Sequence, residues 1–298
     1  MSASVVMLAS LGFLAFFAPL RAVLGQTAEC RPPKDSAESK LLAFFAAPIV
    51  FSPAGHAERL APGVIRLSFD ATYVPQPRAS IRRSTFCQRK EESTDLASVF
   101  PRPRLAVGLP GGFYVEGSYL PPITVMDATP NLGSLALGWT RALGTATPDA
   151  PPARWLTLRA HATFGKVEGA ITCASDVLQQ TDATQACYGD RPSEDTYEPN
   201  MFGAEAIYGF SAGSRLTAYL DAGYTALRPR FQVGFVSLSS GLDDTKVLVD
   251  LSRMAAFAGG SYGIGGGVAI TAELYSVPQD VTTFRLGGSL VLGRRPAP

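Results

Sequence analysis

Residues 201–227, MFGAEAIYGFSAGSRLTAYLDAGYTAL, decide how the rest of the chain is interpreted. Apolar side chains occupy every second position from Phe202 to Phe210, and again from Leu216 to Tyr224. A short polar break separates the two runs. A period of two places alternate side chains on opposite faces of a strand, and such a break joins two strands into a hairpin. The stretch therefore predicts a β-hairpin with one apolar face and one polar face.

The predicted strands are long enough to cross a membrane. Each has about ten residues, roughly twice the usual globular length, and about ten residues tilted by about 45° span a bilayer. Only 17% of the residues are charged and 46% are hydrophobic, whereas soluble domains are roughly 25% charged. After the N-terminal segment, no apolar run reaches the 18 or so residues of a spanning helix. The composition therefore favours membrane strands over membrane helices.

The same alternation recurs along the chain. Further runs of period two lie at 65–73, 105–109, 113–119, 135–139, 156–164, 247–251, 268–274 and 284–292. With the hairpin they predict an all-β fold, an antiparallel up-and-down transmembrane β-barrel of about ten strands, within about eight to twelve. A water-soluble sandwich would also alternate, but it would not need strands this long. The alternation slips near Arg253, which suggests a bulge.

Long and short connections tend to alternate between the predicted strands. Bacterial outer-membrane barrels have short periplasmic turns and long extracellular loops. With both termini in the periplasm, we expect the longer connections to face outward. They are residues 74–103, 121–131, 171–200, 228–245 and 276–280, and Phe231, Val233 and Phe235 could extend the strands beyond the membrane.

The N-terminal 63 residues precede the first predicted barrel strand. Residues 5–20 are apolar, and small residues precede a cut after Gly25, which predicts a signal peptide over 1–25; an uncleaved anchor is the alternative. Residues 26–63 form an N-terminal lead-in or a plug segment. Within them, 37–47 could form a short helix ended by Pro48. A periplasmic lead-in or an extra strand is favoured over a plug inside the barrel, since a short apolar run does not separate these cases.

Four cysteines follow the predicted signal peptide. Cys173 and Cys187 lie in one polar loop and could form a local disulfide in an oxidising compartment. A bridge between Cys30 and Cys87 would complete an even count, but the sequence offers no geometry for it. None of the four has metal-site spacing, so no metal site is expected.

Taking the apolar face as lipid-facing places a set of charged residues in the lumen. A barrel of about ten strands is narrow, so acids and bases inside it must pair, because a lone buried charge is costly. A closed structural network is favoured over a polar pore. Neutralising Glu205 should therefore destabilise the barrel more than a change at a loop acid such as Asp195, which we expect to be exposed. The predicted lumen residues are Arg66, Asp70, Glu116, Arg159, His161, Glu205, Asp221, Glu273 and Arg285.

Catalysis finds little support in the sequence. Beyond the predicted signal peptide the histidines are His56 and His161, and no Gly-x-Ser-x-Gly nucleophile motif accompanies them. Gly265, Gly266 and Gly267 form a turn, with no helix or lysine nearby that would make a phosphate loop. We expect neither an enzyme nor a cofactor. The net charge of +1 does not point to nucleic acid.

Residues 64–293 resemble bacterial outer-membrane β-barrel proteins as a class. The resemblance implies a location in the outer membrane of a Gram-negative-type bacterium, with the lipid and the barrel-assembly machinery as partners. The chain differs from this class at its C-terminus. Such barrels often end their last strand on an aromatic residue, whereas here residues 293–298 follow the last strand and no terminal aromatic residue is present. The expected function is a narrow channel or porter for small solutes or apolar molecules. The alternatives are a structural or adhesive surface barrel with a closed lumen and, less favoured, an enzyme acting on envelope lipids.

Overall fold

A computed structural model describes residues 28–53, 59–82, 86–87, 99–124, 128–144 and 154–293. The predicted signal peptide, His56 and the C-terminal tail after Gly293 lie outside the described residues. In chain order the elements are β1 (Glu29–Cys30), α1 (Ala37–Ile49), β2 (Ile65–Tyr73), α2 (Ala79–Arg82), β3 (Val99–Gly108), a 3-10 turn (Pro110–Gly112), β4 (Phe113–Leu120), β5 (Ala128–Ala142), β6 (Arg154–Gly169), β7 (Asp195–Glu198), β8 (Met201–Ser211), β9 (Leu216–Leu227), β10 (Arg230–Gln232), β11 (Phe235–Ser237), β12 (Gly241–Asp243), β13 (Lys246–Leu248), β14 (Leu251–Gly265), β15 (Val268–Val277) and β16 (Val281–Leu292).

Ten antiparallel strands close into a barrel. The order is β2, β3, β4, β5, β6, β8, β9, β14, β15 and β16, and β16 pairs back with β2. The hairpin with which the sequence analysis began is β8–β9, in which Glu205 lies opposite Gly223 and Tyr208 opposite Leu220. Closure leaves no unpaired edge in the wall, as a barrel in lipid requires. The predicted fold class and strand number are confirmed.

The two ends of the barrel differ in the length of their connections. At one end, here called the turn end, Pro110–Gly112 joins β3 to β4 and residues 212–215 join β8 to β9. Gly111 and Gly112 have φ of 76° and 85°, a conformation that favours glycine. At the other end, the loop end, residues 170–200 and 228–250 make the longest fully described connections. Since long loops of outer-membrane barrels face outward, the loop end is extracellular.

Three details of the predicted strands were wrong. The connection expected at 121–131 is shorter, because β5 begins at Ala128. Residues 99–103 belong to β3 rather than to the loop before it, because the prolines at 101 and 103 obscured the alternation. No bulge occurs at Arg253, since β14 pairs with β9 without a break from Leu251 to Tyr262. The apolar run at 247–251 divides between β13 and the start of β14, and the two elements do not share one alternation.

Short strands extend the wall at the loop end. β7 continues the pairing of β6, and β10, β13 and β1 follow in that order. Phe231, Val233 and Phe235 belong to this extension or the chain beside it, and all three are at most 2% exposed. The extension, the hairpin β11–β12 and residues 170–194 are here called the cap. Its buried side chains form one apolar cluster with those of α1.

The N-terminal chain enters the barrel from the loop end. β1 pairs with β13 in the extension, and residues 59–64 lie at the turn end, where Gly63 N donates to Gly108 O at 2.9 Å. Between them runs α1, whose first turn is capped by Ser36 Oγ accepting from Ser39 N at 3.2 Å. The first described residues therefore lie at the loop end and not at the periplasmic end expected for this part of the chain. None of the described helices is long and apolar enough to span a membrane.

Candidate functional site: a charged lumen and its N-terminal segment

The charged residues predicted for the lumen all lie on the inner face of the barrel strands. Each has at most 9% of its surface exposed, whereas the alternate apolar residues beside them are exposed, as Leu158 is at 47% and Leu220 at 57%. The nine are Arg66 and Asp70 on β2, Glu116 on β4, Arg159 and His161 on β6, Glu205 on β8, Asp221 on β9, Glu273 on β15 and Arg285 on β16.

Most of these charges belong to one continuous network. Arg159 lies between two carboxylates, 2.5 Å from Glu205 and 2.9 Å from Glu116. Glu116 in turn lies 3.5 Å from Arg104, whose other partner is Asp70 at 2.5 Å. Five strands are thereby linked across the inner face. Such pairing offsets the desolvation of each charge, which alone would be strongly destabilising.

The network continues around the other side of the barrel. Arg285 lies 3.4 Å from Asp70 and 2.7 Å from Glu273. The other oxygen of Glu273 accepts from the Tyr219 hydroxyl at 2.8 Å. From Glu205 to Tyr219 the chain of contacts joins side chains of eight different barrel strands. The arrangement encircles the inside of the barrel rather than forming separate pairs.

Four arginines of the inner face also hold the N-terminal segment, through its main-chain carbonyl groups. Arg102 donates to Ile49 O at 2.6 Å and to Val50 O at 2.8 Å. The remaining bonds run from Arg159 to Phe51 O at 2.5 Å, from Arg104 to Ser52 O at 2.7 Å and from Arg285 to Pro53 O at 2.7 Å. Carbonyl groups in the last turn of a helix, and those just after it, have no hydrogen-bond donor within the helix. When they are buried they need other donors, and here the arginines supply them.

Phe51 forms the centre of this contact. Its side chain is fully buried, and the guanidinium carbons of Arg104, Arg159 and Arg102 lie 4.7, 4.9 and 5.5 Å from its ring centroid. Each distance falls within the range of a cation–π contact. Residues 37–53 are here called the plug. A lead-in outside the barrel or an extra strand, the favoured sequence interpretations, does not describe these residues, because they form a helix followed by a short irregular segment that contacts the inner face of the barrel.

Sequence reasoning missed Arg102 and Arg104. Both are at most 3% exposed and lie on β3, on the inward side of the alternation that includes Leu105 and Val107. Extending that alternation toward the N-terminus would have found them, but the intervening Pro101 made the stretch resemble a loop. Tyr219, which lies on the inward side of β9 and is 1% exposed, was not among the predicted lumen residues either.

Some lumen groups lie outside the network. Asp221 is opposite Ile207, two residues beyond Glu205 on β8, and its Oδ2 has no hydrogen-bond partner among the described residues. Asp221 therefore does not join the pair formed by Arg159 and Glu205. Nδ1 of His161 likewise has no partner within the described part of the chain. Among those residues no group of three His, Cys, Asp or Glu side chains could hold a metal ion.

The cap is organised by a disulfide and a buried aspartate. Cys173 and Cys187 are bonded, as predicted. Asp195 is fully buried, so the expectation that it is an exposed loop acid was wrong. It accepts from Thr172 N and Ser193 Oγ, each at 2.7 Å, and from Gly234 N at 2.9 Å. One carboxylate therefore ties together both long connections of the loop end.

A second disulfide and three hydrogen bonds attach the plug and the chain just before it to the loops and the cap. Cys30 is bonded to Cys87, which supplies the geometry that the sequence lacked. Oε1 of Glu38, in the first turn of α1, accepts from the backbone N–H groups of Phe86 and Cys87. The Tyr197 hydroxyl in the cap donates to Leu42 O at 3.1 Å, and burial raises the pKa of this phenol.

The outer face of the barrel is an apolar belt. Large side chains such as Phe69, Leu135, Ile270 and Leu274 have at least 53% of their surface exposed there. Exposing so many large apolar side chains to water would be unfavourable, whereas their contact with lipid is favourable. The chain is an outer-membrane β-barrel. An even-stranded barrel of this type, formed by a single chain, belongs to the outer membrane of a Gram-negative-type bacterium.

Solved outer-membrane barrels have a similar fold. Ail, the attachment invasion locus protein of Yersinia pestis, is 11% identical, with 78% of this chain and 100% of Ail covered and a TM-score of 0.31. Neisserial surface protein A is 12% identical, with 77% and 98% covered and a TM-score of 0.28. The TodX deltaS2S3 mutant, a monoaromatic hydrocarbon channel, is 8% identical, with 84% and 70% covered and a TM-score of 0.30. The sequence matches no protein-family model and no curated protein. Likenesses this distant concern the fold and carry no ligand or activity to this chain.

Proposed function

We propose that this protein is a surface barrel with a closed lumen, which holds a rigid cap outside the membrane for contact with another molecule. The observation that carries the proposal is the set of hydrogen bonds from four lumen arginines to the plug. Three of them, Arg104, Arg159 and Arg285, are also paired with carboxylates of the barrel wall. The plug and the wall therefore stabilise each other, and an open pore would leave the arginine donors without their carbonyl partners.

The construction of the cap supports a role at the cell surface. Two disulfides and the buried Asp195 brace loops that need no such bracing to close a barrel. The hairpin β11–β12 carries apolar side chains outside the lipid-facing belt: Val236, Leu238 and Leu242 are 55%, 53% and 64% exposed. Neighbouring exposed apolar residues on a rigid, solvated element favour contact with a partner. The role requires neither catalysis nor a cofactor.

The second candidate is a gated channel or porter for small solutes. It is favoured by the fact that the closing element is not part of the wall. The plug is a separate segment, attached at the loop end through Cys30–Cys87 and held inside largely by main-chain carbonyls. Its withdrawal would expose a lumen lined by the arginine and carboxylate side chains of the network.

Conductance across planar bilayers tests the two candidates. We expect no current above background from inserted wild-type protein, nor from a Cys30→Ser/Cys87→Ser variant, because the arginine contacts remain. The Cys173→Ser/Cys187→Ser variant is the matched control, since it breaks a disulfide that does not attach the plug. Step currents from the Cys30/Cys87 variant alone would favour the gated channel. Step currents from the wild type would contradict the closed barrel.

A further inference from the structure

A groove crosses the lipid-facing side of the barrel. It has a volume of about 620 Å³ and an almost entirely apolar lining. Its floor is made by exposed small residues of β6, β8 and β9, including Ala160, Ala204 and Ala206. Leu158, which is 47% exposed, stands at its side, and Met254, which is 62% exposed, stands at its end on β14. Because the groove lies within the apolar belt, hydrocarbon rather than water faces it.

The groove is long as well as apolar. Leu137, Ala160, Ala204, Tyr224 and Met254 lie opposite one another in register on five neighbouring strands. With strands about 4.8 Å apart, this row extends over about 20 Å. It rises from β5 toward the loop end of β14, and Tyr224 and Met254 mark its upper end. An extended acyl chain fits a groove of this shape.

Positive charge lies at the rim above the upper end. The Arg228 guanidinium is 5.2 Å from the ring centroid of Phe202, which precedes Ala204 on the outer face of β8. No carboxylate in the described part of the chain lies within 4.0 Å of Arg228. Arg230 and Arg31 share one carboxylate, Asp250, at 2.8 and 3.4 Å.

Arginines lie close together at this rim. The hydrogen bond from Arg230 and the charges of Arg230, Arg31 and Arg228 lower the pKa of Asp250. Glu198, opposite Arg230 in the strand register, accepts from Asn200 at 3.2 Å. A guanidinium left over beside a membrane surface is suited to bind phosphate.

We propose that this side of the barrel binds a phosphate-bearing lipid of the outer leaflet, with an acyl chain in the groove and the phosphate on Arg228. The charge of the rim is complementary to a lipid phosphate at headgroup level. A second copy of the chain is disfavoured as the occupant. A two-fold contact between parallel barrels would bring two identical positive rims to the same depth.

Native mass spectrometry of the full-length barrel in detergent tests the proposal. The probes are phosphatidic acid and a diacylglycerol with the same acyl chains. We expect the wild type to retain one phosphatidic acid and to lose the diacylglycerol. Arg228→Gln removes a charge-assisted bond, and we expect about tenfold weaker binding of phosphatidic acid. Ala206→Phe fills the groove and should weaken the binding of phosphatidic acid as well.

Matched variants show whether the effects belong to this site. Ala272→Phe places the same ring on the outer face of β15, and Arg191→Gln removes an exposed arginine of the cap. Neither should alter binding, and heat-modifiable gel migration should show that all four variants fold. Equal retention of phosphatidic acid by all variants, or equal retention of the two probes, would mean ordinary boundary lipid and would overturn the proposal. A dimer that Ala206→Phe dissociates would overturn it in favour of a second copy.

Discussion

At the scale of single residues, the two faces of a strand have opposite tolerances for charge. Leu220 and Thr217 lie on β9 with opposite orientations: Leu220 is 57% exposed to the lipid side, and Thr217 faces inward, where its hydroxyl donates to Ser261 O at 3.4 Å. The same substitution should therefore have different costs at the two positions, because one places the charge in hydrocarbon and the other beside polar groups.

We expect Leu220→Arg to reduce the free energy of unfolding by about 2–4 kcal/mol if it lies near the bilayer midplane. Thr217→Arg, on the inner face, should cost less unless its length overfills the lumen. Urea unfolding of refolded protein in lipid, followed by heat-modifiable gel migration, measures both. Equal losses at the two positions would contradict the assignment of one face of β9 to lipid and the other to the lumen.

The network in the lumen makes Glu205 sensitive to neutralisation. Glu205→Gln would leave Arg159 with Glu116 and the Phe51 carbonyl as its partners. We expect a loss of about 2 kcal/mol, below the roughly 3–5 kcal/mol for removing the only partner of a buried charge. Asp190→Asn, at an exposed position of the cap, is the control and should change little.

A double-mutant cycle with Arg159→Gln isolates the interaction of the pair. The double variant should recover part of the summed losses, since no uncompensated charge then remains. Unfolding free energies give the coupling, and reversal potentials in bilayers reveal any change in ion selectivity. Zero coupling together with altered selectivity would describe a wet pore instead of a packed lumen.

At the scale of elements, the cap should be separable from the barrel wall. The Cys173–Cys187 bridge closes a loop with a sequence separation of 14, outside the ten barrel strands. In the chain-entropy model such a bridge contributes up to about 3 kcal/mol. Replacing both cysteines with serine should speed protease cleavage within residues 170–194 and leave the heat-modifiable migration of the barrel unchanged. Loss of the folded gel form would show that the cap is needed for the barrel to form.

At the scale of the whole molecule, the path of the N-terminal chain determines which side of the membrane it reaches. β1 lies at the extracellular loop end, and residues 59–64 lie at the turn end. An epitope placed before Glu29, following the predicted signal peptide, should therefore bind antibody on intact cells. An epitope in the 212–215 turn should bind only after the outer membrane is permeabilised. Surface labelling of neither epitope, or of the turn alone, would contradict this topology.

The sequence alone determined the wall of this protein. Lipid on one side and a narrow lumen on the other impose opposite requirements on successive residues, so every membrane strand carries the period of two. The transmembrane hairpin, the number of strands, the inward charges and the Cys173–Cys187 bridge could therefore be predicted. These features depend on neighbours in the chain or on strands that pair in sequence order.

Only the tertiary structure decided what fills the lumen. Glu38 meets Cys87, Arg102 meets Val50, and Arg159 meets Phe51 across 49, 52 and 108 residues of sequence. No local pattern encodes such contacts, because a buried carbonyl presents the same acceptor whatever its side chain. A short apolar helix can also pack in several places with similar burial of its surface. The carbonyls that the arginines reach, rather than the helix sequence, place the plug inside the barrel.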